Sequence, residues 1–247
     1  MSTDETHIEK RLQNEVDHAK HLLKHDPGKL WGWESHAGKI RLKCRVKMLT
    51  SHIHPGMKVL EIGCGTGYFT KELAKTGAAI VAIDISSDLL AVARRDIRCG
   101  NVTFKEENAY SLSFPADSFD TIIGSSVLHH LDTANALAEF YRVLKKSGTI
   151  FFTEPNMINP QIILQKNIPA LKRMMGDSPD ETAFFRWKIA RMLSVAGFKN
   201  IHIKPFDFLH PGTPRALIPL VRSIGNFLER VHLISEIAGS LYIRAEK

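Results

Sequence analysis

Short apolar runs alternate with amphipathic segments between residues 55 and 155, which is the pattern of repeated strand–helix units. A strand buried on both faces shows as a continuous apolar run, whereas an amphipathic helix shows apolar positions at a spacing near 3.6 residues. The runs predict strands over Lys58–Ile62, Ala79–Ile83, Val102–Phe104, Phe119–Gly124 and Thr149–Thr153. The segments between them predict helices over 68–75, 86–98 and 132–144, with a turn over 145–148.

The regular alternation of predicted strands and helices does not continue on either side of residues 55–155. Residues 7–27 predict a polar helix that is broken at Pro27. Residues 39–53 begin with strict alternation, which fits a strand, but their apolar positions continue at helical spacing, so a helix is preferred. The last third predicts an amphipathic basic segment over 160–175 that is broken at Pro169, helices over 181–196 and 214–234, and strands over 200–208 and 239–245.

The order of these elements predicts an α/β fold. Repeated strand–helix units give a doubly wound, mostly parallel sheet with helices on both faces, and seven strands are predicted here. Such sheets bind ligands at the carboxyl ends of their strands. The residues that fall at that edge include Gly63, Asp84, Asn108, Ser125 and Glu154.

Composition restricts the class of protein. Hydrophobic residues make up 44% and charged residues 24% of the 247, as in ordinary globular proteins. No apolar run approaches the ~20 residues that span a bilayer, and the polar N-terminus lacks the apolar stretch of a signal peptide. Cys44, Cys64 and Cys99 are too scattered for a disulfide framework or a zinc site. A cytoplasmic location is predicted, with the inner face of the membrane as a second place the protein could occupy.

The net charge of +7 comes from residues 1–50 and 156–247, whereas the middle of the chain is slightly acidic. A basic surface outside the sheet favours an anionic substrate, an anionic membrane surface or nucleic acid. The same net charge would also be found if the basic residues served only solubility. The basic amphipathic segments over 160–175 and 214–234 could cover a pocket, admit an apolar substrate or rest on a membrane.

A glycine motif joins the first predicted strand to the first predicted helix. Gly63, Gly65 and Gly67 allow a sharp turn and a close approach of the backbone to a ligand. Asp84 ends the next strand, where a carboxylate can accept hydrogen bonds from ribose hydroxyls. A dinucleotide fingerprint needs a third glycine inside the helix, and bulky residues fill that place here. This argues against a nicotinamide-dependent oxidoreductase.

The segment Leu60–Gly67 resembles the glycine motif of the class I S-adenosylmethionine-dependent methyltransferases. Segments 106–109, 114–131 and 144–156 are also similar to that family. The resemblance implies a Rossmann-like methyltransferase fold with a helical lid, S-adenosyl-L-methionine as cofactor and S-adenosyl-L-homocysteine as product. It also implies transfer to a small-molecule or lipid-like substrate. Residues 1–54 would form an N-terminal helical cap, 55–155 the cofactor-binding core, and 156–247 the lid helices and last strands of the same domain.

The resemblance also implies roles for individual residues. The Asn108 side chain would meet the adenine amino group, the Ala109 amide a ring nitrogen, and the Ser125 backbone the methionine part of the cofactor. The residues predicted to bind the cofactor are Glu61, Gly63, Cys64, Gly65, Gly67, Asp84, Ile85, Asn108, Ala109 and Ser125.

His129 and His130 are the predicted catalytic residues, because an imidazole near neutral pH can accept a substrate proton. At most one of them is expected to do so, and His130 is favoured as the packing residue. Glu154 could orient substrate or act as a base, but a structural carboxylate that caps a nearby helix is preferred. No metal site is predicted.

Two alternatives stay open beside a small-molecule methyltransferase. The first is an RNA or protein methyltransferase. Methylation of nucleic-acid bases is disfavoured, because the chain has no Asn-Pro-Pro-aromatic motif after the fourth strand, no Pro-Cys pair and no recognisable RNA-binding module. A non-catalytic S-adenosylmethionine-binding partner subunit is compatible with the sequence, because methyl transfer requires no visible nucleophile. The oligomeric state is not predicted.

Overall fold

Seven strands form one sheet in the computed structural model, which describes residues 3–25 and 27–247, with side chains from residue 8 onward. Their order across the sheet is β3-β2-β1-β4-β5-β7-β6. Strands β1 to β5 pair in parallel, and β7 is antiparallel to both of its neighbours. The predicted mostly parallel sheet is confirmed. The strands are β1 Lys58–Ile62, β2 Ala79–Asp84, β3 Val102–Glu106, β4 Phe119–Ser125, β5 Leu144–Pro155, β6 Lys199–Phe206 and β7 Ser240–Glu246.

Helices cover both faces of the sheet. Helices α6 and α9 supply buried residues to one apolar cluster, and α3, α4 and α5 supply them to the other. The helices are α1 Thr3–Leu23, α2 Pro27–Leu30, α3 His36–Thr50, α4 Thr70–Leu73, α5 Ser87–Asp96, α6 Thr133–Val143, α7 Pro160–Asn167, α8 Pro169–Met174, α9 Arg186–Val195, α10 Ile218–Leu228 and α11 His232–Ser235. None of these described helices is both long and apolar enough to cross a bilayer.

The central strands are apolar on both faces, which explains their continuous hydrophobic runs. Val59 and Leu60 are adjacent and fully buried, yet they belong to different clusters on opposite faces of the sheet. Phe151 and Phe152 divide in the same way on β5. Successive side chains of a strand point to opposite faces, so both must be apolar when both faces carry helices.

Local capping residues set several helix boundaries. The Ser35 hydroxyl accepts a hydrogen bond from the Gly38 amide at 2.9 Å and starts α3, so residues 36–50 are helical and the strand interpretation is wrong. Ser86 and Asp132 cap α5 and α6 in the same way. Gly77, at φ +76°, closes the helical turns that follow the glycine motif.

The turn predicted over 145–148 is wrong, because these residues lie inside β5. Leu144 pairs with Phe119, and the register then shifts before Thr121 pairs with Thr149. Ser147 adopts φ +64° in this irregular stretch. The strand therefore begins early and carries a bulge where a turn was expected.

Two helices after β5 are shorter than predicted. Residues 181–185 are not helical, because the Phe184 amide donates to the Pro155 carbonyl at 3.1 Å and holds this segment against the end of β5. The segment 214–234 is divided into a 3₁₀ turn, α10 and α11. The division lies beside Glu229, whose carboxylate accepts from the Asp207 amide at 2.9 Å.

Candidate active site

A cavity of about 550 Å³ lies at the carboxyl ends of β1, β2, β4 and β5. Helix α1, residues 30–33 and helix α7 contribute to its outer walls. The predicted site residues that line it are Gly63, Cys64, Gly65, Asp84, Ile85, Ala109, Ser125, His129 and His130. The sheet therefore brings most of the predicted site to one place.

The glycine loop is held by backbone conformations that side chains rarely adopt. Gly63, Gly65 and Gly67 have φ values of +63°, +54° and +88°. A Cβ atom on Gly63 would lie 2.4 Å from Cγ2 of Val127, and one on Gly67 would lie 2.3 Å from Cδ1 of Ile97. Glycine is therefore required both for the turn and for the packing of the loop.

Asp84 ties this loop to the end of β2. Its Oδ2 accepts a hydrogen bond from the Gly65 amide at 2.8 Å, and its Oδ1 accepts one from the Ser86 amide at 2.9 Å. Burial raises the pKa of Asp84, while these two amide donors oppose the rise. Each carboxylate oxygen can accept a second hydrogen bond, so Asp84 retains acceptor capacity at the cavity wall.

Three residues predicted to contact the cofactor do not line this cavity. Glu61 is 3% exposed beneath the loop, and burial raises its pKa to about 8. Gly67 packs against α5 and its following turn. Asn108 accepts from the Tyr110 amide at 2.9 Å and shapes the turn that presents Ala109.

His129 lies buried between two carboxylates. Its Nδ1 lies 2.6 Å from Glu154 and its Nε2 lies 3.4 Å from Glu181. Burial alone would lower the pKa of His129, but the charges and hydrogen bonds of Glu154 and Glu181 raise it to about 9. A protonated imidazole has no lone pair for a substrate proton, so this geometry gives no support to His129 as a base.

Glu154 has the structural role that was preferred for it. One of its oxygens accepts hydrogen bonds from the Val127 and Leu128 amides at 3.0 and 2.9 Å, and the other contacts His129. It thereby caps the 3₁₀ turn Leu128–His130 that follows β4.

His130 is the more accessible histidine, contrary to the preference for it as the packing residue. Its Nδ1 lies 3.0 Å from Glu15, and its carbonyl accepts a hydrogen bond from Arg11 at 2.7 Å. Although burial opposes it, contact with His130 helps to hold the pKa of Glu15 below its usual value. If one of the pair accepts a substrate proton, the geometry favours His130.

The lid segment, residues 160–181, contributes charged residues that the sequence analysis did not predict for the site. The Lys166 ammonium bonds to Asp177 at 2.7 Å and to Glu181, which in turn contacts His129. Within the described residues, His129, His130 and Glu181 could each offer one atom to a metal ion. The Lys166 cation already neutralises Glu181, so a charge network explains the cluster.

Comparison with known proteins finds methyltransferases. A family model described as a methyltransferase domain matches residues 60–152. The demethylmenaquinone methyltransferase of Tropheryma whipplei (strain Twist) is 31% identical over 194 residues, which cover 72% of this chain and 79% of that protein. The ubiquinone biosynthesis O-methyltransferase of Methylococcus capsulatus is 30% identical over 175 residues, covering 65% and 73%.

The chain belongs to the class I S-adenosylmethionine-dependent methyltransferases. Solved structures have the same fold at lower identity. An N-methyltransferase from Bradyrhizobium japonicum, in complex with S-adenosyl-L-homocysteine, has a TM-score of 0.64 and 17% identity, covering 95% of this chain and 98% of that one. A methyltransferase from Archaeoglobus fulgidus has a TM-score of 0.62 and 19% identity, covering 85% and 94%.

The glycine loop and the Asp84 carboxylate form a cradle that fits S-adenosylmethionine, the cofactor of this methyltransferase. The glycine loop presents backbone where a Cβ atom would collide with Val127 or approach Trp31, and it is bordered by the Asp84 carboxylate. A nucleoside with two ribose hydroxyls can use the acceptor capacity that remains on Asp84. The expected contacts with the individual residues remain predictions.

The Asp84→Ala substitution is expected to weaken S-adenosylhomocysteine binding by about 1–3 kcal/mol, because charged hydrogen bonds to the ribose and to the Gly65 amide are both lost. Isothermal titration calorimetry measures the change. Asp88→Ala removes an exposed carboxylate from α5 and is the matched control. An unchanged dissociation constant in a folded Asp84→Ala protein would contradict the role of Asp84.

The His129 network is expected to make stability depend on pH. The pKa of His129 is about 9 in the folded protein and near 6.5 in the unfolded chain. The stabilisation that the protonated imidazole provides is therefore complete below about pH 6.5 and is lost as the pH rises through 9. Urea unfolding should show the free energy of unfolding falling by up to about 1.4 kcal/mol per pH unit within that window. His129→Gln should remove this component, whereas His54→Gln, at an exposed histidine, should retain it. Equal slopes in wild type and His129→Gln would refute the assignment.

Proposed function

We propose that this methyltransferase transfers the methyl group to a small or lipid-like acceptor that binds in the cavity beside the cofactor. The observation that carries the proposal is the partly covered, mainly apolar cavity at the carboxyl ends of the strands. Trp31, Trp33, Ile162 and Phe208 supply apolar wall beyond the glycine loop. Two relatives are named for demethylmenaquinone and for ubiquinone biosynthesis, which supports an acceptor of this class.

The protein has a limited task in this reaction. When bound, the cofactor supplies an electrophilic methyl group on a sulfonium. The loop and Asp84 would hold the nucleoside, and the segment 125–127 would border the transfer end. The cover formed by α1 and α7 would align the acceptor and exclude water. His130, paired with Glu15, would accept or orient an acceptor proton.

The alternatives fit the cavity less well. A protein or RNA acceptor would need an open approach to the transfer end, whereas α1, residues 30–33 and α7 occupy the outer side. A non-catalytic partner subunit would not need the apolar wall beyond the cofactor loop. The labelling experiment described below distinguishes both alternatives from the proposed function.

We further propose that the methyltransferase rests on an anionic membrane through the α10–α11 face, defined as residues 215–237. Leu220, Phe227 and Leu233 project from this face, with Phe227 65% and Leu233 82% exposed. Arg215, Arg222 and Arg230 are exposed in the same segment.

The acidic side chains of the α10–α11 face are engaged elsewhere. Glu229 accepts from the Asp207 amide, and Glu236 pairs with Arg186 at 2.8 Å. The α10–α11 face therefore presents basic side chains around its apolar ones, as in helices that bind anionic bilayers. Residues 208–211 precede this face and line the cavity, which supports passage of an apolar acceptor from the bilayer.

Label from methyl-labelled S-adenosylmethionine is expected in the lipid or small-molecule fraction of a cell extract incubated with the purified methyltransferase. Asp84→Ala, with its weakened cofactor site, is the negative control. Label in protein or nucleic acid would reject the acceptor class. Absence of label, with S-adenosylhomocysteine binding intact, would instead support a non-catalytic partner.

Flotation with vesicles tests the membrane proposal. The protein should bind vesicles that contain phosphatidylglycerol, and Phe227→Ser with Leu233→Ser should weaken binding by about tenfold or more, because buried apolar area is lost. Val195→Ser, at an apolar residue 81% exposed on α9, is the matched control. Binding that is unaffected by the double substitution, or no binding at all, would overturn the proposal.

A further inference from the structure

A second cavity, of about 270 Å³, lies at the amino ends of β4 and β5, on the edge of the sheet opposite the active site. We call it the basal cavity. No described residue lines both cavities, so the basal cavity is separate from the site of methyl transfer. Its lining includes four charged side chains and two rings, which belong to Asp120, Lys145, Lys146, Arg244, His52 and Phe151.

The irregular start of β5 makes room for the basal cavity. Leu144 pairs with Phe119, and the next pair of this ladder joins Thr149 to Thr121, so β5 carries more residues between the two pairs than β4 does. A Cβ atom on Gly148 would lie 2.7 Å from Cγ of Leu144. The bulged segment is therefore closely packed, and it gives the cavity a wall of defined shape.

The carboxylate of Asp120 is engaged through both of its oxygens. Oδ1 accepts a hydrogen bond from the Lys145 ammonium at 2.7 Å, and Oδ2 accepts one from the Lys58 amide at 2.8 Å. Lys146 is exposed beside this pair, and its ammonium has no ion-pair partner among the described residues. The charge that remains available at the rim is therefore positive.

Arg244 adds a further cation from β7. Its Nη2 donates to Glu246 at 2.7 Å, and the other oxygen of Glu246 accepts from the side chain of Asn200 at 2.7 Å. Nε of Arg244 is buried and has no hydrogen-bond partner within the described part of the chain. Buried donors in native proteins almost always have partners, so this Nε indicates an acceptor that comes from outside the chain.

Stacked rings form the floor of the basal cavity. The His52 ring lies 5.4 Å from the Phe151 ring, with 12° between their planes, and Tyr242 stacks on Phe151 at 6.3 Å. Phe151 is fully buried, whereas His52 is exposed. The floor is therefore fixed from below by the core, and the outer side of the His52 ring is open to a ligand.

We propose that the basal cavity binds a small molecule through an oxyanion group such as phosphate. Nε of Arg244 and the ammonium of Lys146 would donate charge-assisted hydrogen bonds to this group. The volume of about 270 Å³ lies just below the ~300–1,000 Å³ of pockets for drug-sized ligands, which favours a small ligand. Free phosphate and the phosphate group of an aromatic metabolite share this chemistry. The proposal does not depend on the proposed function.

Calorimetric titration of inorganic phosphate into protein saturated with S-adenosylhomocysteine tests the site while the cofactor cradle is occupied. Arg244→Gln and Lys146→Gln should each weaken phosphate binding about tenfold, because each removes a charged donor. Lys43→Gln changes the net charge equally at an exposed lysine of α3 outside the basal cavity and is the matched control. Ionic strength is kept constant. Thermal unfolding establishes that each variant is folded, and Lys146→Gln carries the test if Arg244→Gln does not fold.

Phenyl phosphate, as a second probe, distinguishes the two sources of the oxyanion. If the ligand is an aromatic phosphate, phenyl phosphate should bind several-fold more tightly than inorganic phosphate, and His52→Ala should remove that difference alone. If the ligand is free phosphate, both probes should bind alike, and His52→Ala should have no effect. Arg244→Gln and Lys146→Gln should weaken both probes in either case.

Two results would overturn the proposal. Absence of binding by either probe to the wild-type protein would show that the cavity takes no oxyanion. Binding that Arg244→Gln and Lys146→Gln leave unchanged, or that Lys43→Gln weakens equally, would place the anion elsewhere on the basic surface. None of these readouts involves methyl transfer, so they are independent of whether the acceptor class has been identified correctly.

Discussion

The hydrogen bond from the Gly65 amide to the Asp84 carboxylate is the contact on which the site depends. Parallel pairing of β1 with β2 places Ile62 beside Ile83, so the loop after one strand and the carboxylate after the next are adjacent. The glycines need φ values that other residues rarely adopt, and Asp84 keeps this backbone in place. The cofactor cradle is thus formed by sheet register and a single side chain.

Two groups of buried charge near this cradle differ in how completely they are satisfied. In the first, His129 lies between Glu154 and Glu181, and its ring nitrogens both face carboxylates. A network of this kind joins β5, the turn after β4 and the lid. In the second, Arg45 keeps buried donors without partners. The first group is therefore assigned to structure, whereas the second keeps donors without partners beside the active-site cavity.

Local signals made much of the fold predictable. The limits of β1, the starts of the helices near residues 86 and 132, and the helical character of α3 depend on nearby residues, and the structure confirms them. The early start of β5 and the extended residues 181–185 were missed, because pairing with distant strands decides them. The glycine motif and Asp84 could be predicted because each belongs to a short local pattern, a loop after one strand and the end of the next.

The rest of the site depends on segments that meet only in the folded chain. Glu181 contacts His129 and is itself paired with Lys166 of α7, and Asp207 reaches α3 from the end of β6. No spacing in the sequence indicates these contacts. One signal was available for Arg45: once α3 is a helix, this residue falls on the face that also carries Ala37 and Leu49, which are both buried.

A crystal structure of the methyltransferase with S-adenosylhomocysteine tests the central claim most directly. The claim predicts that the glycine loop keeps its positive φ values and its bond to Asp84, and that the ribose hydroxyls lie within hydrogen-bond distance of that carboxylate. A loop without its bond to Asp84, or a ribose held by other residues, would contradict the claim that Asp84 organises the cofactor site.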